Sequence, residues 1–406
     1  MRWIDWQSFA AGAAKLSPQE QRAAAVAGGA HALHDGYTDL IYIMLPLWQA
    51  EFALSYAALG LLRSMFAGAM ASLQIPAGLL AERFGAAAVL AAGTALAGFG
   101  YCIAGLSTGF AMLLGALVIG GIGASTQHPI ASALVARAFA GPRSLTALGT
   151  YNFSGDLGKM TVPATLSLLL LALPWRPALG ILGGVGLVLA VVIFLFTPRY
   201  GGDATAKDEH ATSGRPPRSS AFAMLLAIGI LDSAVRMAFL LFLPFVLTAK
   251  GASLQQVGLA LTLVFAGGAA GKLACAFIGA RIGAIATVWL TEGLTAAGIV
   301  ALLPLPLPAA LLLLPLIGVA LNGTSSVLYG SVPDLVAADR RTRALSIFYT
   351  GTIGSGAIAP VLFGHIGDAL GVWPALTLVA AAALGTLPLA ALLRPALPRS
   401  YGAGTA

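Results

Sequence analysis

Long apolar runs constrain this chain more than any other feature of its sequence. A helix needs about 20 apolar residues to cross the hydrocarbon core of a bilayer. Because such a helix satisfies its own backbone hydrogen bonds, runs of this length predict membrane-spanning helices. Twelve runs can be marked, at residues 24–50, 57–80, 86–106, 110–137, 143–172, 176–197, 221–247, 254–280, 283–304, 308–332, 341–369 and 372–393. We therefore predict an all-α membrane protein with 12 transmembrane helices.

The composition leaves little room for a soluble domain. Charged residues make up 9% of the chain and hydrophobic residues 58%, whereas soluble domains carry about 25% charged residues. The only two cysteines, Cys102 and Cys275, lie in apolar runs and predict neither a disulfide framework nor a metal site. The sequence has no Walker loop, dinucleotide fingerprint or nucleophile elbow. We therefore predict no cofactor, no metal and no enzymatic activity.

One polar segment divides the runs into two sets of six. It is rich in glycine, proline and serine, a composition that indicates a flexible linker. The predicted organisation is an N-terminal segment 1–23, a six-helix bundle 24–197, the linker 198–220, a second six-helix bundle 221–393 and a tail 394–406.

The two sets of runs repeat each other at an offset of 198 residues. The matched positions are Pro46 with Pro244, Gly60 with Gly258, Arg83 with Arg281, and Gly85 with Gly283. Asp35 and Asp232 depart from this offset by one residue. The repeat predicts two pseudo-symmetric bundles.

The basic residues predict the orientation. Sixteen of the 22 lysines and arginines fall on the side of the termini and the linker, while the opposite loops hold only Arg176 and Lys250. Positive loops stay in the cytoplasm, so we expect both termini and the linker to be cytoplasmic. The net charge of +7 follows from this asymmetry and predicts no nucleic-acid partner.

A polar stripe interrupts the first run. His31, Asp35 and Asp39 are spaced i, i+4 and i+8, which places them on one face of a helix. Ionisable groups at this depth are costly and usually face a wet cavity or a partner. Asp35 is either a proton-coupling carboxyl, since burial favours the neutral form, or a structural acid bonded to His31 or His34. Asp39 can pair with Arg63, and the stripe therefore predicts the wall of a transport pathway. We predict that His34, Asp39 and Arg63 bind substrate there.

Other intramembrane charges come in short-range pairs. Asp156 and Lys159 are either a self-compensating pair or a site where an anionic substrate displaces Asp156. The same alternatives hold for Asp232 and Arg236. Because Lys272 and Glu292 lie at similar depths, we predict a structural bridge between them.

Three further polar positions are candidates. His128, before Pro129, is a proton carrier, a packing residue or the partner of a proline kink. Asn152 and Tyr349 fall at neighbouring positions of the two repeats and are candidates for hydrogen bonds to substrate.

The segment between the second and third runs carries a family resemblance. Gly78-Leu-Leu-Ala-Glu82-Arg83-Phe-Gly85 resembles the loop signature of the major facilitator superfamily, with Glu82 where aspartate is usual and alanines in place of the basic residues after the last glycine. The resemblance implies two six-helix bundles that rock about a central site, and a conformational role for the loop residues Gly78, Glu82, Arg83 and Gly85.

The resemblance also implies which helices and gates surround the site. Helices 1, 4, 5, 7, 8, 10 and 11 would line or close the cavity. An inner gate would include segments 137–143 and 340–343, and an outer gate would lie near Trp48, Tyr56 and Phe245.

A narrower resemblance is to the fosmidomycin-resistance branch of bacterial efflux transporters. It rests on the segment 31–35, Leu54-Ser55 with Gly60, His128-Pro129 followed by Arg137, and Asn152-Phe153 with Gly155 and Gly158. Asp156 with Lys159 departs from that branch, which has small neutral residues there. This resemblance implies efflux and drug resistance, and a place in the bacterial inner membrane as a functional monomer.

The leading hypothesis is a secondary active transporter, a proton-coupled antiporter that exports a small organic anion or drug by alternating access. Without an ATP site, the energy must come from an ion gradient. The four intramembrane bases favour an anionic substrate; they are Arg63, Lys159, Arg236 and Lys272. The first alternative is uptake of a carboxylate or similar metabolite by proton symport. A membrane sensor or scaffold is disfavoured, since the runs leave little sequence for a signalling domain.

Overall fold

The computed structural model describes residues 16–139, 142–198, 220–337 and 340–397. Within these ranges the chain is 91% helical and contains no strand. Most of the predicted N-terminal segment, linker and tail lies outside the described residues.

The helices follow the predicted runs closely. In the N-terminal half they are α1 (Pro18–Phe52), α2 (Tyr56–Ser72), α3 (Gln74–Phe84), α4 (Ala86–Gly105), α5 (Phe110–Ala124), α6 (Gln127–Ala138), α7 (Pro142–Ala172) and α8 (Trp175–Phe196). In the C-terminal half they are α9 (Ser220–Ala249), α10 (Leu254–Ile282), α11 (Ala284–Leu302), α12 (Leu307–Ser331), α13 (Arg341–Leu370), α14 (Val372–Leu384) and α15 (Thr386–Leu393). Short 3-10 turns follow α12 and α15, at Val332–Asp334 and Arg394–Ala396.

Nine helical segments in the described ranges are long and apolar enough to cross a membrane, or ten if the bent pair α2–α3 is one span. Helices α1 and α7 are not among them, although they contain 35 and 31 residues. Both carry the intramembrane charges of the predicted pathway. The membrane-spanning, all-helical architecture is confirmed, and the exact count of twelve spans stays a prediction.

Proline interrupts the helical hydrogen-bond ladder in several predicted spans, among them the second and the fourth. The second span bends by 45° between α2 and α3, at Leu73. Pro76 has no N–H for the carbonyl of Ser72, four residues earlier. The fourth span likewise turns between α5 and α6, and Pro129 cannot donate to the carbonyl of Ser125.

Helix starts show how local sequence sets the boundaries. Ser17 caps α1, accepting from the Glu20 backbone N–H at 3.2 Å while its own N–H donates to the Glu20 carboxylate at 2.7 Å. The backbone hydrogen bond from Ser17 lowers the pKa of that partly buried carboxyl. Glu20 also pairs with Arg143 at 3.0 Å, which ties the start of α1 to the start of α7.

The duplication recurs as matched local structure. Ser55 caps α2 and Ser253 caps α10, 198 residues later. Gly85, between α3 and α4, has φ +88°, and Gly283, between α10 and α11, has φ +85°. Only glycine adopts this conformation without strain, which explains the closing glycine of the loop signature.

The halves pack through two equivalent helix pairs, α2 with α13 and α7 with α10. In the first pair, a side chain at Gly60 would meet the backbone carbonyl of Pro360. In the second pair, a side chain at Gly258 would meet Ser167. These glycines, which are matched by the repeat, allow the two halves to approach at backbone distance.

One end of the bundle is sealed between the halves; we call it the closed end. There Asp368, near the end of α13, accepts from the backbone N–H groups of Tyr56 and Ala57 at 2.6 and 3.0 Å. The Tyr56 ring packs against Phe242 and Phe245 of α9, with centroids 5.8 and 5.1 Å apart. Tyr56 and Phe245, two residues near which the outer gate was predicted, are therefore in contact, and the third, Trp48, is fully buried.

Candidate functional site

A cavity of about 1220 Å³ lies between the two halves. Its wall comes from α1, α2, α3, α6, α7, α9, α10, α12 and α13, which include every helix that the superfamily resemblance implies, together with the second span. The cavity reaches Glu82, near the last residues of α3. We call this the open end of the bundle, opposite the closed end.

Asp35 is the centre of a polar cluster in the N-terminal half. Its Oδ2 lies 3.3 Å from Lys159 Nζ and 3.4 Å from His31 Nε2, and its Oδ1 lies 3.9 Å from His128 Nε2. Helices α1, α6 and α7 contribute these groups. The structure thus brings together the three residues predicted to couple protons, and adds Lys159 to them.

The hydrogen bonds of His31 create a place for a proton. Its Nδ1 lies 2.8 Å from the carbonyl oxygen of Tyr151, which can only accept. In a neutral ring the proton is therefore on Nδ1, and Nε2 presents a lone pair to the Asp35 carboxylate. Two acceptors then face each other, so a proton on either of them turns a repulsive contact into a hydrogen bond.

His34 points to a different environment. Its Nε2 contacts the Thr94 hydroxyl at 3.0 Å, and that hydroxyl donates to the Leu90 carbonyl at 2.9 Å. Thr94 therefore accepts from His34, and Nδ1 has no hydrogen-bond partner within the described residues. His34 is not among the residues that line the cavity, so its predicted contact with substrate has no support from this arrangement.

The short-range pairing predicted for α7 is replaced by longer-range contacts. Lys159 turns to Asp35, whereas Asp156 accepts from Lys272 of α10 at 2.6 Å. Because Asp156 and Lys272 belong to different halves, their ion pair crosses the cavity wall at the α7–α10 contact. All four side chains line the cavity.

The pair within α9 forms as the spacing predicts. Arg236 donates to Asp232 Oδ2 at 3.0 Å. The predicted bridge between Lys272 and Glu292 is wrong, because Lys272 is held by Asp156 and the Glu292 carboxyl interacts with that of Asp232. The sequence placed Lys272 and Glu292 at similar depths in the membrane, but it did not show that their side chains contact different helices.

The ion pair considered between Asp39 and Arg63 is not seen. Arg63 donates through Nε to the Tyr42 hydroxyl at 3.1 Å, and one of its terminal nitrogens lies 3.9 Å from the Met237 sulfur across the interface. Asp39 and Arg63 both line the closed-end part of the cavity. They therefore remain candidates for contact with a bound solute.

The remaining predicted positions lie on the cavity wall or at its mouth. Asn152 and Tyr349 line the cavity, and the Tyr349 ring packs on Tyr329 with centroids 4.4 Å apart. In the loop signature, Gly78 and Glu82 line the mouth. The other two members, Arg83 and Gly85, are exposed at the end of α3.

The bases of the site are more exposed than the acids with which they pair. Side-chain exposure is 30% for Lys159 and 38% for Lys272, but 13% for each of their partners, Asp35 and Asp156. Arg236 is 18% exposed and its partner is 5% exposed. In each of these pairs, the base therefore presents more surface to a solute than the acid does.

Comparison with known families identifies this architecture. A family model described as Major Facilitator Superfamily matches residues 28–231 and 224–405. The chain belongs to the Major Facilitator Superfamily. Its relatives in the superfamily are transporters and not enzymes, so the chain is a multi-pass membrane transporter of a small-molecule substrate.

Individual superfamily members resemble the whole chain. The probable sulfoacetate transporter SauU of Cupriavidus necator is 26% identical over 390 residues, covering 87% of this chain and 88% of that protein. A bacterial homologue of the human lysosomal transporter Spinster, in an inward-facing and occupied conformation, superposes with a TM-score of 0.77 at 15% identity, covering 94% of this chain and 98% of that one. A mutant of the nucleoside transporter NupG gives a TM-score of 0.76 at 15% identity, covering 94% and 100%. At this identity the two solved structures show the superfamily fold alone, and the fosmidomycin-resistance branch stays a prediction.

The histidine cluster of this superfamily member also has the spacing of a metal site. Ligand atoms of His31, Asp35 and His128 lie within 4.8 Å of one another. However, the Lys159 ammonium already lies against the same carboxylate. A metal ion would have to displace this ammonium group from the carboxylate, and we propose no metal here.

Sequence reasoning missed the roles of several residues in this superfamily fold. Lys272 and Glu292 were visible as intramembrane charges, but their partners depend on which helices meet in space. Asp368 was visible only as a polar residue near the end of a run. The contact between His31 and the Tyr151 carbonyl could not be predicted from sequence, because every residue has a backbone carbonyl.

Proposed function

We propose that this chain is a secondary active transporter that moves a small organic anion by alternating access, with proton coupling. The observation that carries the proposal is that Lys159, Lys272 and Arg236 line the cavity and are more exposed than the acids with which they pair. Charge–charge attraction strengthens in a cavity of low dielectric constant. The site is therefore suited to a carboxylate, sulfonate or similar group.

The relative from Cupriavidus necator supports the same chemical class. Its printed name refers to sulfoacetate, a small molecule with one sulfonate and one carboxylate group. We therefore propose a small metabolite of this kind as substrate, in preference to a drug. Lys159 on α7 and Arg236 on α9 are basic groups on opposite walls of the cavity. One of them can bind the sulfonate group of such a molecule and the other its carboxylate group.

The pairing of bases with acids also supports a direction of coupling. When a substrate anion binds to the Lys159 ammonium group, Asp35 loses its counter-ion. The pair of Asp35 and His31 then binds a proton more readily. By linkage, the bound proton in turn frees Lys159 for the anion. Anion and proton therefore favour each other's binding, which is the property of a symporter, and we propose uptake of the anion with protons.

Export by antiport is the second candidate, and the narrower resemblance of the segment 31–35 and His128-Pro129 favours it. An antiporter requires the proton and the substrate to compete for the site. The proposal also includes a functional monomer in the bacterial inner membrane with cytoplasmic termini. In that orientation the open end faces the cytoplasm.

One experiment separates the candidates. The purified full-length protein is placed in liposomes containing a pH-sensitive dye, and sulfoacetate is added outside. Symport acidifies the lumen, antiport makes it alkaline, and uncoupled transport moves labelled sulfoacetate without a pH change. Protein-free liposomes are the control. Absence of flux for sulfoacetate and for a panel of small carboxylates and sulfonates would refute an organic anion as substrate.

A further inference from the structure

Two acidic side chains touch each other in the C-terminal half, away from the Asp35 cluster. Asp232 on α9 and Glu292 on α11 are 4% and 2% exposed. Their carboxyl groups interact directly with each other. Two ionised carboxylates repel each other and can only accept hydrogen bonds, so a buried pair of this kind is stable only with a proton on one of them.

The neighbouring groups supply one positive charge for two acids. Arg236 donates to Asp232 Oδ2 at 3.0 Å. Lys272, the next base along the cavity wall, is held by Asp156 in the other half. If both carboxyls were ionised, the pair would keep an uncompensated negative charge in a buried place, which is strongly unfavourable.

Helices α12 and α13 contribute only neutral groups to this site. On α12, Thr324 is within hydrogen-bond contact of Glu292, but its hydroxyl donates to Thr291 at 2.7 Å. Tyr329 hydrogen-bonds with Thr352 of α13 at 3.0 Å. Among the described residues, the buried Glu292 Oε2 has no hydrogen-bond partner.

We propose that Asp232 and Glu292 form a second proton-binding site, which holds one proton on Glu292 while Arg236 neutralises Asp232. The proton exchanges with water in the cavity, because Arg236 and Ser233 line that cavity beside Asp232. When a substrate anion draws Arg236 away, Asp232 loses its counter-ion and the pair accepts a further proton. This role in coupling rests on the proposed function, whereas the protonated pair itself does not.

Infrared spectroscopy of the full-length protein in lipid nanodiscs tests the pair without any substrate. At neutral pH the protein should show the carbonyl stretch of a protonated carboxyl, and the band should shift when glutamate is labelled with 13C at its side-chain carboxyl. Glu292→Gln should remove that shifted band. Glu51→Gln is the matched control, since Glu51 is an exposed acid paired with Arg176 at 2.9 Å, and it should keep the band.

The outcomes are distinct even if one variant does not fold. A wild-type protein without a glutamate-dependent band overturns the proposal, as does a band that survives in Glu292→Gln. In the liposome assay, Glu292→Gln should reduce the number of protons moved per sulfoacetate, and an unchanged ratio would overturn the role in coupling. If the wild-type protein moves sulfoacetate without protons, the proposed function fails while the infrared result stands.

Discussion

The contact of Asp368 with the start of α2 leads to a quantitative prediction about the closed end. The carboxylate accepts two backbone N–H groups across the interface, at 2.6 and 3.0 Å, and lies at the positive end of the α2 dipole. Hydrogen bonds to a charged acceptor contribute about 1.5–3 kcal/mol each, and solvent screening lowers this for an exposed group. Asp368→Asn keeps one acceptor without the charge, so we expect a loss of about 1 kcal/mol, roughly a fivefold change in equilibrium.

The affected equilibrium is the one between the state with a sealed closed end and the state in which that end separates. Nitroxide labels at Leu106→Cys and Leu312→Cys, exposed positions in the two halves, report this separation by pulsed electron–electron double resonance. The background replaces Cys102 and Cys275 by alanine. Asp368→Asn should raise the population of long distances about fivefold relative to the unmodified background.

Glu51→Gln is the matched control, because it removes an acid whose ion pair with Arg176 stays within the N-terminal half. It should leave the distance distribution unchanged. An unaltered distribution in Asp368→Asn, or an equal shift in the control, would show that this contact does not hold the closed end together.

Three further predictions address coupling, charge and packing. Asp35→Asn should abolish uphill transport driven by a pH gradient while the protein remains folded; unchanged accumulation in liposomes would remove Asp35 from coupling. Lys272→Gln should weaken binding of sulfoacetate far more than that of a neutral analogue, and isothermal titration showing equal losses would indicate a purely structural ion pair. Gly60→Ala should lower the melting temperature, since the methyl group meets the Pro360 carbonyl and overpacking costs about 1–3 kcal/mol. Gly68→Ala on the same helix has open space and should be neutral or stabilising, so equal melting temperatures for the two variants would contradict the packing argument.

The fold was largely predictable because its determinants are local. Apolar length sets each span, and the repeat of Pro46 in Pro244 and of Gly85 in Gly283 reflects matched backbone geometry in the two halves. The break at Leu73 was missed, although Pro76 could have indicated it. A proline inside a continuous apolar run does not by itself predict a bend, because the packing of neighbouring helices determines whether the span bends there.

The site was predictable only where it depends on a single helix. Asp232 and Arg236 are one turn apart, so their contact follows from helical geometry alone. Lys159 had two acids within reach, and the choice of Asp35 over Asp156 depends on how α1 packs against α7. Asp156 and Lys272 are 116 residues apart in sequence and belong to different halves. Their ion pair therefore depends on how the two halves dock, which no local sequence pattern encodes.

The break at Leu73 divides the second membrane span into two helices with different contacts. Before it, α2 is fastened to the opposite half through Gly60 and the Asp368 contact. After it, α3 carries Gln74, Gly78 and Glu82 along the cavity mouth. An 11-residue helix is about 16 Å long, so a change of about 10° in the bend would carry its far end through roughly 3 Å. A change confined to this bend would therefore narrow the mouth around a solute without breaking the contacts of Gly60 and Asp368 with the opposite half.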